Sequence, residues 1–471
     1  MVPMPTDIAD HPDRLLPTDP GVREVAQRLH SEVKNLPIVS PHGHVDAAML
    51  ADDEPFPDPT ALLISPDHYV TRLLHANGVP LEQLRVGGSA EATPRQAWRT
   101  FCRHWKDFDG TASGYWLRQE FTEVFGIDDA IITEERADEV YDAISERIAA
   151  PDFRPRALFD WMNIEVLATT DDPLDDLAAH RRLRDDPDFT GRVLPTFRPD
   201  RYLKFGDGFR SAAEALVDTA GGGASGYDGY IEALERRRAY FIDHGGVSTD
   251  HGAHTPRTLK LDRSAAAALF EKGLAGTATA EEAHAFEAHM MYQMARMSAE
   301  DGLVMTIHPG VHRNTHTPTL QRFGPDTGHD IPFAVDYSTG LQPVLEDFGT
   351  AEGFHLIPFT IDETVYSREI APLAGFYPSV YVGAPWWFLD APDAMHRFRA
   401  AITETTGFTR SSGFIDDTRA FCSIPARHDA SRRVEAGFLA RLVAEHRITE
   451  ERAHEAILEL VDASPRRAFK L

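Results

Sequence analysis

Eight short β-rich segments recur along the chain, and each is followed by polar or aromatic residues and then by a helical pattern. Strand patterns that alternate with helical patterns indicate βα units and a parallel sheet. Eight such units are what a (β/α)₈ barrel requires, so we predict an α/β fold, a distorted TIM barrel with helical insertions. The predicted strands are 37–45, 164–169, 191–197, 246–249, 303–307, 355–361, 379–383 and 413–416.

The chain has 471 residues, which is long for a barrel without additions. Single barrels run to about 250 residues and exceed about 400 with insertions. We therefore predict one domain over residues 1–471, with helical insertions at about 81–163 and about 205–299, after the first strand and around the fourth. Apolar residues at helical spacing in 135–148 and 432–446 predict helices on the outside of the barrel.

The formal net charge of −27 disfavours nucleic acid and anionic membranes as partners. No apolar run approaches the roughly 20 residues that span a bilayer. The first residues lack a basic stretch followed by an apolar one, and Cys102 and Cys422 have no metal-type spacing, so we expect a cytoplasmic enzyme. Homo-oligomerisation remains open.

In a barrel of this class the active site lies at the carboxyl ends of the strands, so the residues just past each predicted strand are candidates. His42 and His44 follow the first strand at positions i and i+2, and alternate residues of a strand point to the same side. Two imidazoles suit zinc or a neighbouring divalent metal, although a catalytic site needs a third protein ligand.

Asp417 is the best candidate for that third ligand, because the last strand of a closed barrel lies beside the first. The alternative is that Asp417 caps the following helix. His308 could be a fourth ligand, a substrate contact or a core histidine. The fourth and sixth strands end in Asp250 and Asp362, where binuclear hydrolases of this fold carry lysine and histidine, so we predict a mononuclear site at most.

Arg198 and Arg419, with Arg313, could hold an anionic group by bidentate hydrogen bonds, unless each pairs with a nearby aspartate. Trp386 and Trp387 could wall a sugar-sized pocket, although adjacent residues point in opposite directions and we expect at least one ring in the core. His68 and Tyr69, in the first insertion, could supply a general acid or base, although such pairs are commonly structural.

Taken in order, these segments resemble uronate isomerase, the glucuronate isomerase family of the amidohydrolase superfamily, over nearly the whole chain. The resemblance rests on many short motifs in the family's order. They are His42-Gly43-His44, Asp67-His68-Tyr69 with Arg72, Asn77-Gly78-Val79, Thr169-Thr170-Asp171-Asp172-Pro173, Arg198-Pro199-Asp200, Ser248-Thr249-Asp250-His251-Gly252, His308-Pro309-Gly310 with Arg313-Asn314, Gly324-Pro325-Asp326-Thr327-Gly328, Trp386-Trp387-Phe388 and Asp417-Thr418-Arg419.

The resemblance implies interconversion of hexuronates, D-glucuronate with D-fructuronate and D-galacturonate with D-tagaturonate. It implies one divalent metal on His42, His44 and Asp417, usually taken to be zinc, with manganese or another divalent ion left open. It also implies a substrate site. That site is lined by the positions of His68, Tyr69, Arg198, His308, Trp386 and Arg419, and Arg72 and Arg313 are further candidates for substrate binding.

Moving a carbonyl from C1 to C2 requires removal of the C2 proton, stabilisation of an enediolate and return of a proton at C1. We expect Tyr69 with Asp417 to act as the proton-shuttling dyad, and His68 and Arg419 to assist. Two rival functions remain. One is a mononuclear metal-dependent hydrolase on the same barrel, and the other is a non-catalytic sensor of sugar acids.

Overall fold

The structure, a computed structural model, describes residue 9 and residues 11–471. The expectation that no signal segment begins the chain falls partly on residues 1–8 and 10, which lie outside the described residues. The strands are β1 Ile38–Ser40, β2 Ile164–Ala168, β3 Arg192–Leu194, β4 Thr196–Phe197, β5 Ser248–His251, β6 Val304–Ile307, β7 Val311–His312, β8 Ile331–Pro332 and β9 Leu356–Pro358.

The helices surround these strands. They are α1 Pro20–Val33, α2 Ala47–Asp52, α3 Pro59–Leu63, α4 His68–Ala76, α5 Pro94–Arg103, α6 Ala112–Gln119, α7 Ala137–Ile148, α8 Pro155–Trp161, α9 Ala178–Asp185, α10 Asp200–Leu203, α11 Phe209–Ala220, α12 Gly226–Asp243, α13 Arg263–Ala275, α14 Ala280–Asp301, α15 Thr317–Phe323, α16 Tyr337–Phe348, α17 Ala371–Phe376, α18 Pro392–Thr406, α19 Ile424–Ala444, α20 Glu450–Leu458 and α21 Ser464–Phe469.

The central sheet is parallel and follows the predicted strand order. Hydrogen-bonded neighbours run β1-β2-β3 and then β4-β5-β6-β9, and a bridge from Asp171 to Phe197 joins the two groups. The third predicted strand is split into β3 and β4 at Pro195, which has no N–H to donate to a ladder. The sheet continues through isolated parallel bridges from Leu356 to Val380 and from Val382 to Ser411.

The seventh predicted strand therefore pairs only through isolated bridges, and residues 413–416, predicted as the eighth, form no strand, since the bridge lies just before them at Ser411. The segment that contains Asp417 nevertheless reaches the first strand, because the N–H of His44 donates to the carbonyl oxygen of Thr418 at 3.0 Å. The architecture is that of an α/β fold with a distorted barrel, as predicted. β7 and β8 form a separate antiparallel pair beside it.

Every residue of β1, β5, β6 and β9 is buried, as expected for parallel strands that are covered on both faces. Val39, Val166 and Leu194 come from three neighbouring strands and pack in one cluster of buried side chains. Helices α2 to α8 lie between β1 and β2, and α10 to α14 lie on both sides of β5. Of the described helices, none combines the length and the apolar character that crossing a membrane requires.

Helix α19 differs from the sequence prediction. We predicted an outer helix over 432–446, but α19 begins at Ile424 and is buried on nearly all sides, with α1, α18 and α20 packed around it. Its arginines are buried because they have partners. Arg432, for example, donates to the carbonyl oxygens of Lys34 and Leu36 at 3.0 and 2.9 Å. Polar positions on a helix do not mark a solvent face when each charge is satisfied inside the protein.

Candidate active site

A cleft of about 640 Å³ opens at the carboxyl ends of the strands. Every predicted site residue except Arg72 lines it. The lining residues are His42, His44, Asp67, His68, Tyr69, Arg198, Asp250, His308, Arg313, Asp326, Trp386, Trp387, Asp417, Thr418 and Arg419. Among the described residues, two groups of three side chains could each hold a metal ion, and both groups lie in this cleft.

His42, His44 and Asp417 converge on one point at the floor of the cleft. The Nε2 atoms of His42 and His44 lie 3.3 and 3.0 Å from Oδ1 of Asp417. That oxygen is buried and has no hydrogen-bond partner of good geometry among the described residues. An orphaned carboxylate oxygen beside two imidazole nitrogens is the donor set of a divalent cation such as zinc.

The backbone around Asp417 explains why its side chain is directed at the histidines. Asp417 has a φ of 42°, in the left-handed region, which aspartate tolerates better than most residues with a Cβ. The next long helix, α19, begins only at Ile424, and none of the described side chains caps it. The alternative in which Asp417 caps a helix is therefore not what the structure has.

The electrostatics of this cluster favour an ionised carboxylate. Burial alone would raise the pKa of Asp417, but the imidazoles of His42 and His44 outweigh burial and hold that pKa well below its ordinary value. Burial likewise would lower the pKa of His42, but the charges of Asp250 and Asp417 raise it. The floor of the cleft therefore attracts positive charge.

Asp250, at the end of β5, anchors the side of the cleft next to this cluster. Its Oδ1 lies 2.7 Å from Nδ1 of His308, and its Oδ2 lies 3.0 Å from Nη1 of Arg198. Although burial would raise the pKa of Asp250, Arg198 and His308 hold it well below the ordinary value. The His308 ring also stacks on His42, with centroids 4.8 Å apart. Asp250 was visible in the sequence as a polar residue after the fourth strand, but nothing there assigned it a partner.

The three arginines of the cleft differ in how firmly they are paired. Arg198 is engaged on two sides, because its Nε also donates to Asp200 at 3.0 Å. Arg419 contacts Asp326 only at 3.4 Å, and Arg313 contacts Asp330 only at 3.5 Å. Arg313 also lies over the ring of Trp387, 5.0 Å from its centroid. Each arginine thus has an aspartate neighbour, but two of the pairings are long and partly exposed to solvent.

Both tryptophans line the cleft, and both are also buried in the apolar cluster beside it, so the prediction that at least one ring lies in the core is confirmed. The alternation rule does not apply, because residues 383–386 are not in a strand. Trp386 meets the ring of His308 edge-on at 4.7 Å, and Trp387 meets the ring of His68 at 5.2 Å. Two apolar walls therefore flank the polar floor.

Tyr69 and His68 begin helix α4, whose N-cap Asp67 accepts a hydrogen bond from the N–H of Tyr69 at 2.8 Å. The hydroxyl of Tyr69 donates to the two carboxylate oxygens of Asp390, at 3.1 and 3.0 Å. The predicted Tyr69–Asp417 dyad is therefore not hydrogen-bonded here. Burial and the charge of Asp390 raise the pKa of Tyr69 well above its ordinary value.

Arg72 is the one predicted residue that lies outside the cleft. Its guanidinium sits over the ring of Phe388, 4.7 Å from the centroid, and its side chain packs against Gly328. Burial lowers the pKa of Arg72. In this position it braces the wall of the cleft and does not reach the space inside.

Sequence reasoning gave no role to several charged residues of the site. Asp67, Asp326 and Asp390 were either inside quoted motifs or unremarked, and Arg427 lies in helix α19, where its charge does not stand out from the helical pattern. The available signal for Asp390 was its position three residues after Trp387. That position does not identify Tyr69 as the hydrogen-bond partner of Asp390, because the two residues are 321 positions apart.

Comparison with known proteins agrees with this architecture. The sequence profile of the glucuronate isomerase family matches residues 21–463. The chain is 59% identical to the uronate isomerase of Corynebacterium efficiens over 469 residues, which cover 99% of this chain and 100% of the relative. It is 51% identical to the uronate isomerase of Cutibacterium acnes, with 98% of each chain covered.

Solved structures give the same result. The crystal structure of glucuronate isomerase from Caulobacter crescentus superposes with a TM-score of 0.95 at 45% identity, covering 98% of this chain and 97% of that one. The uronate isomerase of Thermotoga maritima superposes with a TM-score of 0.91 at 29% identity, covering 98% and 99%. The chain belongs to the glucuronate isomerase family.

Proposed function

We propose that the chain interconverts aldose and ketose hexuronates, D-glucuronate with D-fructuronate and D-galacturonate with D-tagaturonate. The observation that carries the proposal is the shared cleft, in which the His42, His44 and Asp417 cluster faces loosely paired arginines. A sugar acid needs both features, because its carboxylate and its carbonyl lie at opposite ends. The names of the relatives support the same reaction.

The three residues of the floor would hold one divalent cation. Two imidazole nitrogens and a buried carboxylate oxygen suit zinc best, and manganese is the alternative that a metal analysis would distinguish. When bound, such an ion polarises carbonyl and hydroxyl oxygens and stabilises negative charge that develops on them. His42 is held for this role by burial, and Asp417 and His44 by their contacts within the cluster.

Arg313 and Arg419 would bind the carboxylate of the substrate. Their contacts to Asp330 and Asp326 are long, so a substrate carboxylate can replace them with shorter, charge-assisted bonds. Arg198, in contrast, already pairs with both Asp250 and Asp200, so it is less available to a substrate carboxylate. The walls made by Trp386 and Trp387 would hold the sugar chain between the two polar ends.

The proton that moves between C2 and C1 would pass through Tyr69. Tyr69 lines the cleft, and the charge of Asp417 acts on its hydroxyl, so the two groups are near each other although they do not share a hydrogen bond. His68 lies beside Tyr69, with ring centroids 5.2 Å apart, and burial lowers its pKa, which favours the neutral imidazole. A neutral His68 could assist at a substrate hydroxyl.

The direct test is an assay of ketose formation. Purified protein would be incubated with D-glucuronate and with D-galacturonate, before and after treatment with a chelator and after metal is restored. We expect turnover that the chelator removes and zinc or manganese restores. His42→Ala should reduce turnover to background and lower the bound metal, whereas near-normal turnover in that variant after chelation would refute the metal role.

The rival hydrolase is tested in the same preparation. Asp250 is occupied by Arg198 and His308, and so it does not replace the lysine that bridges two metals in binuclear hydrolases. We expect no hydrolysis of ester, amide or lactone substrates. Hydrolysis without isomerisation would favour the rival instead.

A further inference from the structure

Next to Tyr69, but not among the residues that line the cleft, lies a buried pair of opposite charges formed by Asp390 and Arg427. Asp390 precedes helix α18, and Arg427 is in helix α19. Asp390 is 5% exposed and Arg427 is 2% exposed. Nη1 of Arg427 donates to Oδ2 of Asp390 at 2.9 Å, and both oxygens of Asp390 accept from the hydroxyl of Tyr69.

Arg427 is itself held in place from several sides. Its Nε donates to Oγ of Ser423 at 3.0 Å, and Nη1 also reaches the carbonyl oxygen of Asp416 at 3.4 Å. Its guanidinium lies 3.6 Å from the centroid of the Trp116 ring and 5.4 Å from that of Tyr69. A guanidinium with so many fixed contacts has little freedom, so Asp390 is held in one place too.

The chemistry of the pair determines which way the Tyr69 hydroxyl points. An ionised carboxylate only accepts hydrogen bonds, so the proton of Tyr69 must lie on the side of Asp390. The lone pairs of the Tyr69 oxygen are then free for another donor. In this arrangement Tyr69 presents a proton acceptor, and not a proton donor, to the remaining space around it.

We propose that Asp390, fixed by Arg427, orients the Tyr69 hydroxyl and takes its proton when Tyr69 accepts the proton from C2 of the substrate. The inference rests on the proposed isomerisation. In the step, the C2–H bond breaks and its proton bonds to the Tyr69 oxygen, while the original Tyr69 proton passes to a carboxylate oxygen of Asp390. The electron pair of the C2–H bond moves toward C1, and the carbonyl oxygen takes up the negative charge of the enediolate. The proton of the C2 hydroxyl passes to the C1 oxygen, and the reverse transfers through Tyr69 deliver a proton to C1, so that C2 becomes the carbonyl and C1 carries the hydroxyl.

Burial makes the carboxylate of Asp390 a better proton acceptor. Burial raises the pKa of its carboxyl group and Arg427 opposes that rise only in part, so the group accepts a proton more readily than an exposed aspartate. Asp390 and Arg427 are positioning residues, because they touch Tyr69 and do not line the cleft. Asp390 therefore replaces Asp417 as the proposed proton partner of Tyr69, because Asp417 already belongs to the cluster with His42 and His44.

A second buried pair, between helices α18 and α19, offers a matched control. Arg399 of α18 donates to Glu435 of α19, with distances of 2.6 to 3.0 Å, and both residues are buried. Neither lines the cleft. Glu435→Gln removes one charge of a buried pair as Asp390→Asn does, but at a distance from Tyr69.

The experiment compares Asp390→Asn, Tyr69→Phe, the double variant and Glu435→Gln. Each is measured for kcat, KM, bound metal, melting temperature and the isotope effect with substrate deuterated at C2. Asp390→Asn leaves Arg427 without its charge partner and could fail to fold. A second variant, Asp390→Asn with Arg427→Gln, removes both charges and keeps the test available.

We expect Asp390→Asn to lower kcat at least tenfold, with KM within about twofold, full metal content and a larger isotope effect. The double variant should be no slower than Tyr69→Phe, because Asp390 acts through the hydroxyl that this variant lacks. Glu435→Gln should keep wild-type kcat. Normal kcat in Asp390→Asn, or effects that multiply in the double variant, would overturn the inference. Failure of the proposed function is distinguished by the wild-type protein alone, which would then show no ketose formation.

Discussion

At the scale of single residues, the cleft is organised by how completely each charge is paired. Arg198 has two short carboxylate contacts, while Arg313 and Arg419 have one long contact each. A substrate carboxylate gains little at a saturated guanidinium and much at an unsaturated one. The division separates structural from ligand-binding arginines within one pocket.

This division predicts different results for the arginine variants. Arg419→Ala or Arg313→Ala should raise KM for glucuronate about 10- to 100-fold, because a hydrogen bond to a charged group contributes about 1.5–3 kcal/mol. The melting temperature of Arg419→Ala should hardly change, because both partners of its pair with Asp326 are partly exposed. Steady-state kinetics and thermal melts would check this. Arg103→Ala, which breaks an exposed pair with Glu134, is the control and should change neither value. An unchanged KM in both cleft variants would place carboxylate binding elsewhere.

The structure brings predicted site residues together where barrel geometry makes distant residues neighbours, while their roles remain predictions. His42, His44 and Asp417 could be assembled because the first and last strands of a barrel are adjacent. Asp390 and Arg427 could not, since one lies in a loop and the other in a helix, and no periodicity relates them to Tyr69. The hydrogen bond that redirects Tyr69 away from Asp417 depends on side-chain packing that strand order does not specify.

At the scale of elements, the first seven predicted strands were correct in place, but not all were regular. Pro195 divides the third strand, the seventh contributes only isolated bridges, and the eighth is replaced by a single bridge at Ser411, just before the predicted range. That loss of alternation is why both tryptophans can reach the cleft. For helix α19, the spacing of apolar residues predicted the helix but did not predict that the helix is buried. Its charged positions are satisfied by other elements, among them α1 through Asp429.

Asp429 provides a test of how α19 is anchored to its surroundings. Its carboxylate contacts His30 of α1 at 3.1 Å, and also Arg14 and Arg433. Burial would raise the pKa of Asp429, but His30, Arg14 and Arg433 together hold it well below the ordinary value. A depressed folded-state pKa stabilises the protein above the unfolded-state pKa of about 3.9, and this contribution is lost as pH falls toward the folded-state value.

Asp429→Asn should therefore destabilise the protein by about 2 kcal/mol at pH 7, as loss of a partly buried charge partner does. The difference from the wild type should narrow as pH falls below about 4, where the wild-type carboxylate begins to lose its advantage. Denaturant unfolding at several pH values would measure it. Asp462→Asn, which affects a partly exposed pair with Arg466, is the control with a small effect. A difference that is constant over this pH range would contradict the anchoring role.

At the scale of the whole molecule, the repeated strand-helix pattern was sufficient to predict the fold class, because eight such units in one chain are what a barrel requires. The extent of the single domain over residues 1–471 remains a prediction. Charge is the other property of the whole chain, with 74 acidic residues against 47 lysines and arginines. Many of the basic residues are paired, so the surplus of carboxylates faces the solvent.

Two effects of salt therefore compete over the whole surface. Salt screens the attraction within exposed ion pairs, each of which contributes only about 0–1 kcal/mol. It also screens the repulsion among the surplus carboxylates, which extends over about 10 Å at 0.1 M ionic strength. With a net charge of −27 the repulsion involves the entire surface, whereas the favourable pairs act singly. We expect the repulsion among carboxylates to outweigh the attraction within the exposed pairs.

The melting temperature should accordingly rise by several degrees as NaCl increases from about 10 mM to about 0.5 M at pH 7, where the carboxylates are ionised. At pH 5 the increase should be smaller, since histidines then add positive charge and reduce the net negative charge. Calorimetry in a metal-loaded sample at both pH values would measure the two slopes. Potassium chloride serves as the control, because screening depends on ionic strength and not on the cation. A melting temperature that falls with salt would mean that the exposed ion pairs outweigh the repulsion and hold the surface together.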